Sequence, residues 1–240
     1  MRIIHWAGDS TSATNKAQTW PQTGIAQAFD RYTKEDVLVY NHAVNGRSTK
    51  SFIDEGRLDT IGRELKSGDF LFIQFGHNDE KTQDPARYTD PNGTFADNLK
   101  RFVETARAHD AWPLLITPVE RRLFDDQGQL KESGHAPYAA AAIESGRLLE
   151  VPVIDLWELS RAWLKMTGDA GSVDCYMILK PGEAAWAPDG QTDNSHLKYT
   201  GAMLYAGMIA QELIRLAEPY ASLVDASQLS RGSVDIEING

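Results

Sequence analysis

The run Phe70-Leu71-Phe72-Ile73-Gln74-Phe75 constrains the fold more than any other stretch of the chain. It is almost continuously apolar, as a strand covered on both faces must be, and such strands belong to parallel sheets flanked by helices. Four more runs share its character: residues 2–7, 37–43, 112–117 and 151–156. Each is short, rich in β-branched or aromatic residues, and bounded by glycine, proline or polar turn residues. Between them lie segments with helical spacing, at 23–29, from the forties to about Leu65, from Phe95 to about His109, and from Tyr138 to about Leu149. Phe95, Leu99, Phe102, Val103 and Ala106 show that spacing most plainly. A further helix follows the fifth strand through Trp163, and a last one runs from Tyr199 to Ala217. Five alternations of strand and helix predict an α/β fold, a five-stranded parallel sheet with helices on both faces, in one domain over residues 1–240. Residues 80–94 read as a polar surface loop and residues 120–137 as a polar loop. Residues 167–192 read as a long irregular loop, which in a compact domain is usually functional. The polar tail from about Ala221 receives no assigned structure.

Composition narrows the setting. A chain of 240 residues with 42% hydrophobic and 24% charged residues can bury one sizeable core. No apolar stretch reaches the roughly 20 residues needed to span a bilayer. The first strand begins at once, without the apolar segment and cleavage site of a secretory signal. Cys175 is the single cysteine, which excludes an internal disulfide. These features point to the cytoplasm and away from a membrane. The net charge of −10 makes the chain a poor candidate for binding nucleic acid, which needs a concentrated basic face, and no nucleic-acid partner is expected. Monomer and homodimer both remain open.

The small and polar residues collect at the strand ends. Gly8-Asp9-Ser10-Thr11 follows the first strand, Asn45-Gly46-Arg47-Ser48 the second, and Gly76-His77-Asn78-Asp79 the third. The carboxyl ends of adjacent parallel strands lie along one edge, where open α/β sheets place their ligands. Ser10 there has the position of a nucleophile, although Asp-Ser-Thr after a strand also serves simply to cap a helix. A serine needs a base, and Asp193-Asn194-Ser195-His196 offers one before the last helix. Asp193 can hold one ring nitrogen of His196 and leave the other for Ser10, a relay tolerated in several chain orders. The N–H groups of Ser10 and Gly46 and the amide of Asn78 would supply donors to a developing oxyanion.

In this order the blocks resemble those of the SGNH, or GDSL-type, hydrolases. Gly-Asp-Ser-Thr, Asn45-Gly46-Arg47-Ser48, Gly-His-Asn-Asp and Asp193-x-x-His196 are most similar to the rhamnogalacturonan acetylesterases of carbohydrate esterase family 12. The resemblance spans residues 1 to about 217. It implies a flavodoxin-like α/β/α sandwich and a serine esterase that removes O-acetyl groups from rhamnogalacturonan or derived pectic oligosaccharides through a covalent acyl-enzyme. It implies Ser10, Asp193 and His196 as the catalytic residues and Ser10, Gly46 and Asn78 as the oxyanion hole. No cofactor or metal is expected. The absence of a signal peptide and disulfides departs from the secreted fungal members and implies a bacterial cytoplasmic enzyme that trims imported oligosaccharides.

Substrate contacts are read from position alone. Arg47, with Lys50, is placed to meet galacturonate carboxylates, His77 to contact substrate or order its loop, and Trp186 or Tyr176 to stack on a sugar ring. His5 and His42 fall within strands and read as buried, satisfied side chains. Asp79 and Glu80 read as solvated loop carboxylates, and Trp157 and Trp163 as core. Two other readings stay open: a GDSL-type lipase, thioesterase or other carbohydrate acetylesterase, and a flavodoxin-like binding protein whose Ser/Thr-rich first loop cradles a phosphate.

Overall fold

The computed structural model describes residues 1–229. Five strands form one parallel sheet: β1 (Arg2–Gly8), β2 (Val37–Asn41), β3 (Phe70–Gln74), β4 (Trp112–Ile116) and β5 (Val153–Ile154). Their order is β2-β1-β3-β4-β5, the order of flavodoxin-like sheets. The fifth strand is shorter than its sequence run because Pro152 interrupts it and Asp155 already caps the next helix through the Glu158 N–H.

Alternate side chains of the strands enter two separate apolar layers, as a period of two demands. Ile4, Trp6, Phe70, Phe72, Leu114 and Ile116 pack on one face against α1 (Ile25–Phe29), α6 (Leu156–Ser172) and α7 (Tyr199–Arg215). Ala7, Leu71, Ile73 and Leu115 pack on the other against α2 (Thr49–Asp54), α3 (Arg57–Glu64), α4 (Ala96–Ala108) and α5 (Ala136–Leu149). The expected three-layer α/β/α sandwich is therefore present. The helix read as continuous to Leu65 is two helices, because Gly56 takes a positive φ of 70° between α2 and α3.

Two regions differ from the sequence reading in ways that matter below. The stretch 167–192 is not one irregular loop. Helix α6 kinks at Gly168, where φ is 74°, and helical turns go on to Ser172. Strand β6 (Tyr176–Leu179) pairs antiparallel with β7 (Gln191–Leu197). The polar loop after β4 turns several of its polar residues inward: Glu120, Arg122 and His135 are buried. Partners distant in sequence make that burial possible. Glu120 takes hydrogen bonds from Trp157 Nε1 and Arg161 Nη1, each at 3.0 Å. Residues 221–229 also pack, since Leu223 and Val224 join the core and Lys34 N–H donates to the Leu223 carbonyl. The rest of the tail, residues 230–240, lies outside the described residues. Among the described residues, no helix is long and apolar enough to cross a membrane.

Candidate active site

Register brings the strand-end loops together. Gly8 lies opposite Gln74 in the β1–β3 ladder, so Asp9-Ser10 and Phe75–Asn78 leave the sheet side by side. The second loop is tied to the first by the Val44 N–H on the Gly8 carbonyl at 3.1 Å. It is tied to the third by Asn78 Nδ2, which donates to the Arg47 carbonyl at 3.1 Å. Gly46 stands at φ 77°, a conformation that favours glycine. Among the described residues no protein acceptor takes the Ser10 or Gly46 N–H, and Asn78 Nδ2 keeps one hydrogen to spare.

The base arrives on β7 by a local device. Tyr176 pairs with Leu197 but Met177 pairs with Asp193, so Asn194, Ser195 and His196 bulge out of the ladder. The bulge is anchored from behind: Arg122 donates to the Asn194 carbonyl through its backbone and to Asn194 Oδ1 through Nη1. From it, His196 Nε2 stands 2.8 Å from Ser10 Oγ and Nδ1 stands 2.6 Å from Asp193 Oδ2. Asp193 Oδ1 accepts the N–H groups of Ser195 and His196. Burial pushes the Asp193 carboxyl up, but the His196 ring and these N–H groups outweigh it and hold it at about 2. The same hydrogen bond raises His196 above its ordinary value, against a smaller opposing effect of burial. Asp193 thus stays ionised, and the imidazole is basic enough to take a serine proton.

The remaining sequence candidates divide. Ser10, Asp193 and His196 come together, and the loops of Gly46 and Asn78 meet. Arg47 does not offer a free cation: its Nε faces Glu55 at 3.0 and 3.1 Å and its Nη1 donates to the Asn45 carbonyl. Lys50 is likewise paired with Asp54. His77 is buried, with Nε2 at 2.8 Å from the Val119 carbonyl and its ring 4.0 Å from that of His135, so it orders the loop rather than meeting substrate. Burial, then the charges of His135 and Arg121, hold it well below its usual range and keep it neutral. Tyr176 is also buried, its hydroxyl shared between the Glu120 carbonyl and the Tyr205 hydroxyl, and cannot stack on a sugar. Trp186 is exposed and donates Nε1–H to the Trp20 carbonyl.

Two carboxylates read as solvated are not. Asp79 is fully buried and accepts from the Thr49 N–H, the Thr49 hydroxyl and the Thr89 hydroxyl. Burial outweighs those donors and pushes it up to about 7. Glu80 pairs with Arg121 at 2.7 Å. Trp163 is core, as expected, whereas half-buried Trp157 serves Glu120. Sequence reading missed Lys81 and Arg87, whose cationic ends reach Asn78 Oδ1 at 2.9 and 3.5 Å. The available signal was spacing, since a lysine three residues past Asn78 in a turn comes back to it.

Among the described residues one group, His5, His42 and Glu64, has metal-ligand character. His42 lies just past β2 and is half-buried, not enclosed. Its Nε2 meets His5 Nδ1 at 2.9 Å with the ring centroids 5.2 Å apart and nearly coplanar. The rings therefore meet end to end in an N–H···N hydrogen bond. An ion at about 2.1 Å from both nitrogens would have to turn them apart.

A flavodoxin-like sheet carrying a serine, a histidine and an aspartate in hydrogen-bonded series at its carboxyl edge is the architecture of the SGNH, or GDSL-type, hydrolases. The chain belongs to the GDSL-like lipase/acylhydrolase family, whose model matches residues 7–202. It is 39% identical over 217 residues to the rhamnogalacturonan acetylesterase RhgT of Bacillus subtilis (strain 168), covering 90% of this chain and 91% of that one. It is 34% identical over 216 residues to the probable rhamnogalacturonan acetylesterase YesY of the same organism, covering 90% and 94%. The crystal structure of Bacillus subtilis YxiM superposes with a TM-score of 0.72 at 24% identity. That match covers 89% of this chain but only 56% of YxiM, and it bears on the fold alone.

Proposed function

We propose that the protein is a serine esterase that removes O-acetyl groups from rhamnogalacturonan or its oligosaccharides. The observation that carries this reading is the Ser10–His196–Asp193 series, at 2.8 and 2.6 Å, in a chain 39% identical to a rhamnogalacturonan acetylesterase. In the first half-reaction His196 Nε2 takes the Ser10 hydroxyl proton as Oγ attacks the acetyl carbonyl carbon. The carbonyl oxygen becomes an oxyanion, held by the N–H groups of Ser10 and Gly46 and the free amide hydrogen of Asn78. Collapse breaks the bond to the sugar oxygen, which leaves with the proton from His196. In the second half His196 deprotonates a water that attacks the acetyl-Ser10 carbonyl, and acetate leaves as Oγ recovers its proton.

The test is acetate release from acetylated rhamnogalacturonan oligosaccharides, run beside acetylated xylan, with Ser10→Ala as the blank. Release from the pectic substrate that vanishes in Ser10→Ala is expected. Equal release from both polysaccharides would keep the esterase and discard the pectic assignment. Release undiminished in Ser10→Ala would discard the mechanism.

A further inference from the structure

We propose that Lys81 and Arg87 form an anion site on the rim of the active site that holds the carboxylate of an acidic sugar in the substrate. The inference rests on the carbohydrate esterase reading above and specifies what that site recognises. Both cations sit against the groups assigned to the oxyanion. Lys81 Nζ donates to Asn78 Oδ1 at 2.9 Å, and Arg87 Nη1 lies 3.5 Å from the same oxygen. A Cβ built on Gly46 would come within 3.8 Å of Arg87 Nη1, so the guanidinium also borders the second loop.

Among the described residues one carboxylate, that of Asp84, is ion-paired with these two cations. Among the described residues no carboxylate lies within ion-pair distance of Lys81, and Arg87 gives only its Nε to Asp84, at 2.5 Å. Lys81 uses one of three donors on Asn78, and Nη1 of Arg87 faces the Asn78 amide oxygen. Arg121 adds a third cation nearby, although Glu80 neutralises it. Burial of Lys81, then the charges of Arg87 and Arg121, hold its ammonium below its ordinary range, with Asp9 and Glu80 opposing them more weakly.

This concentration is local. The chain carries 34 acidic against 24 basic residues, so it exerts no general attraction on a polyanion and must capture a carboxylate by contact. Arg87 is about a third exposed and Lys81 half-buried, so both are reachable from solvent. A carboxylate bridging a guanidinium and an ammonium gains charge-assisted hydrogen bonds from each. A neutral sugar in the same place would leave both cations facing hydroxyls. The basic role expected of Arg47 falls here to two residues of the next loop because their cationic ends reach Asn78 Oδ1, whereas the Arg47 guanidinium is turned to Glu55 and the Asn45 carbonyl.

The experiment is titration of the whole protein with galacturonate, galactose and acetate, followed by calorimetry or NMR. The wild type is expected to bind galacturonate at least tenfold more tightly than galactose. Arg87→Gln and Lys81→Gln should each weaken galacturonate about tenfold, leaving galactose within twofold, and Arg87→Lys should keep most of the preference. Equal affinity for galacturonate and galactose would overturn the proposal. So would galacturonate affinity unchanged in both glutamine variants, which would leave Lys81 only a structural partner of Asn78. Acetate binding as tightly as galacturonate would assign the site to the product and also overturn it. None of these measurements uses a pectic ester, so they succeed or fail apart from acetate release.

Discussion

Asp193 holds His196 twice: its Oδ2 faces the ring Nδ1 at 2.6 Å, and its Oδ1 accepts the His196 backbone N–H at 3.0 Å. The acid that orients the base therefore also folds the bulge that presents it. Asp193→Asn and Asp193→Ala separate the two roles. An asparagine keeps an oxygen for the backbone but can offer an amide N–H to Nδ1, which favours the wrong tautomer. The expected loss in kcat is on the order of 10³- to 10⁴-fold. Alanine also releases the Ser195 and His196 N–H groups, so its loss should be at least as large and accompanied by a lower Tm. Steady-state kinetics and thermal unfolding of the two variants check this. An alanine variant that melts like the asparagine one would show that the bulge holds without the carboxylate.

The pH profile follows from the same pair. His196 works as a base only when neutral, and its partner Asp193 raises its affinity for the proton. Activity should therefore rise with pH, with a midpoint above 6.5, and then level off. Asp193 is at about 2 and adds no second limb between pH 4 and 9. In Asp193→Asn the raising interaction is gone, so the midpoint of the residual activity should move down. Measuring kcat/KM across pH 5 to 9 for both proteins tests the sign. An upward move would mean that Asp193 does not set the imidazole.

Asn78 has its amide fixed before substrate arrives, by Lys81 on Oδ1 and by the Arg47 carbonyl on Nδ2. A donor positioned in advance acts chiefly on the charged intermediate, so Asn78→Ala should lower kcat by about 10²- to 10³-fold with little change in KM. Single-substrate kinetics on a soluble acetyl ester give both constants. A change in KM alone would move Asn78 from the oxyanion to ground-state binding.

Much of this frame is legible along the chain. Phe70–Phe75, Ser10 after β1 and Asn78 after β3 follow from local pattern, because a covered parallel strand must be apolar and must end in a turn at the sheet edge. What escaped depends on partners far away in sequence. Asp79 becomes a buried acid only because Thr49, thirty residues earlier, donates to it from the start of α2. Nothing near Asp193 announces the β6–β7 hairpin, because half of it comes from Tyr176–Leu179 across a polar loop. Arg47 shows the reverse error. Its charge is plain in the sequence, but Glu55, which draws its guanidinium aside and also pairs with Arg57, is placed by the fold of α2.

Glu120 gives the last prediction, since it is a fully buried charge on which Trp157, Arg161 and the Arg121 N–H converge. Burial raises its carboxyl, but His135, Ser133, the Arg121 N–H and Arg161 together outweigh that and bring it down to about 2 from 4.5. A folded value below the unfolded one means stabilisation that is complete above about pH 4.5 and is lost as pH falls toward 2. The shift corresponds to roughly 3 kcal/mol at neutral pH, at about 1.4 kcal/mol per unit. Glu120→Gln removes the charge yet keeps the shape, leaving Arg161 and the adjacent histidine to a neutral amide. It should lose a few kcal/mol at pH 7, and its deficit against wild type should shrink steadily below pH 4.5. Urea unfolding of both proteins at pH 7, 5 and 3.5 measures the difference. A deficit that stays constant across those pH values would mean that Glu120 contributes through packing rather than charge.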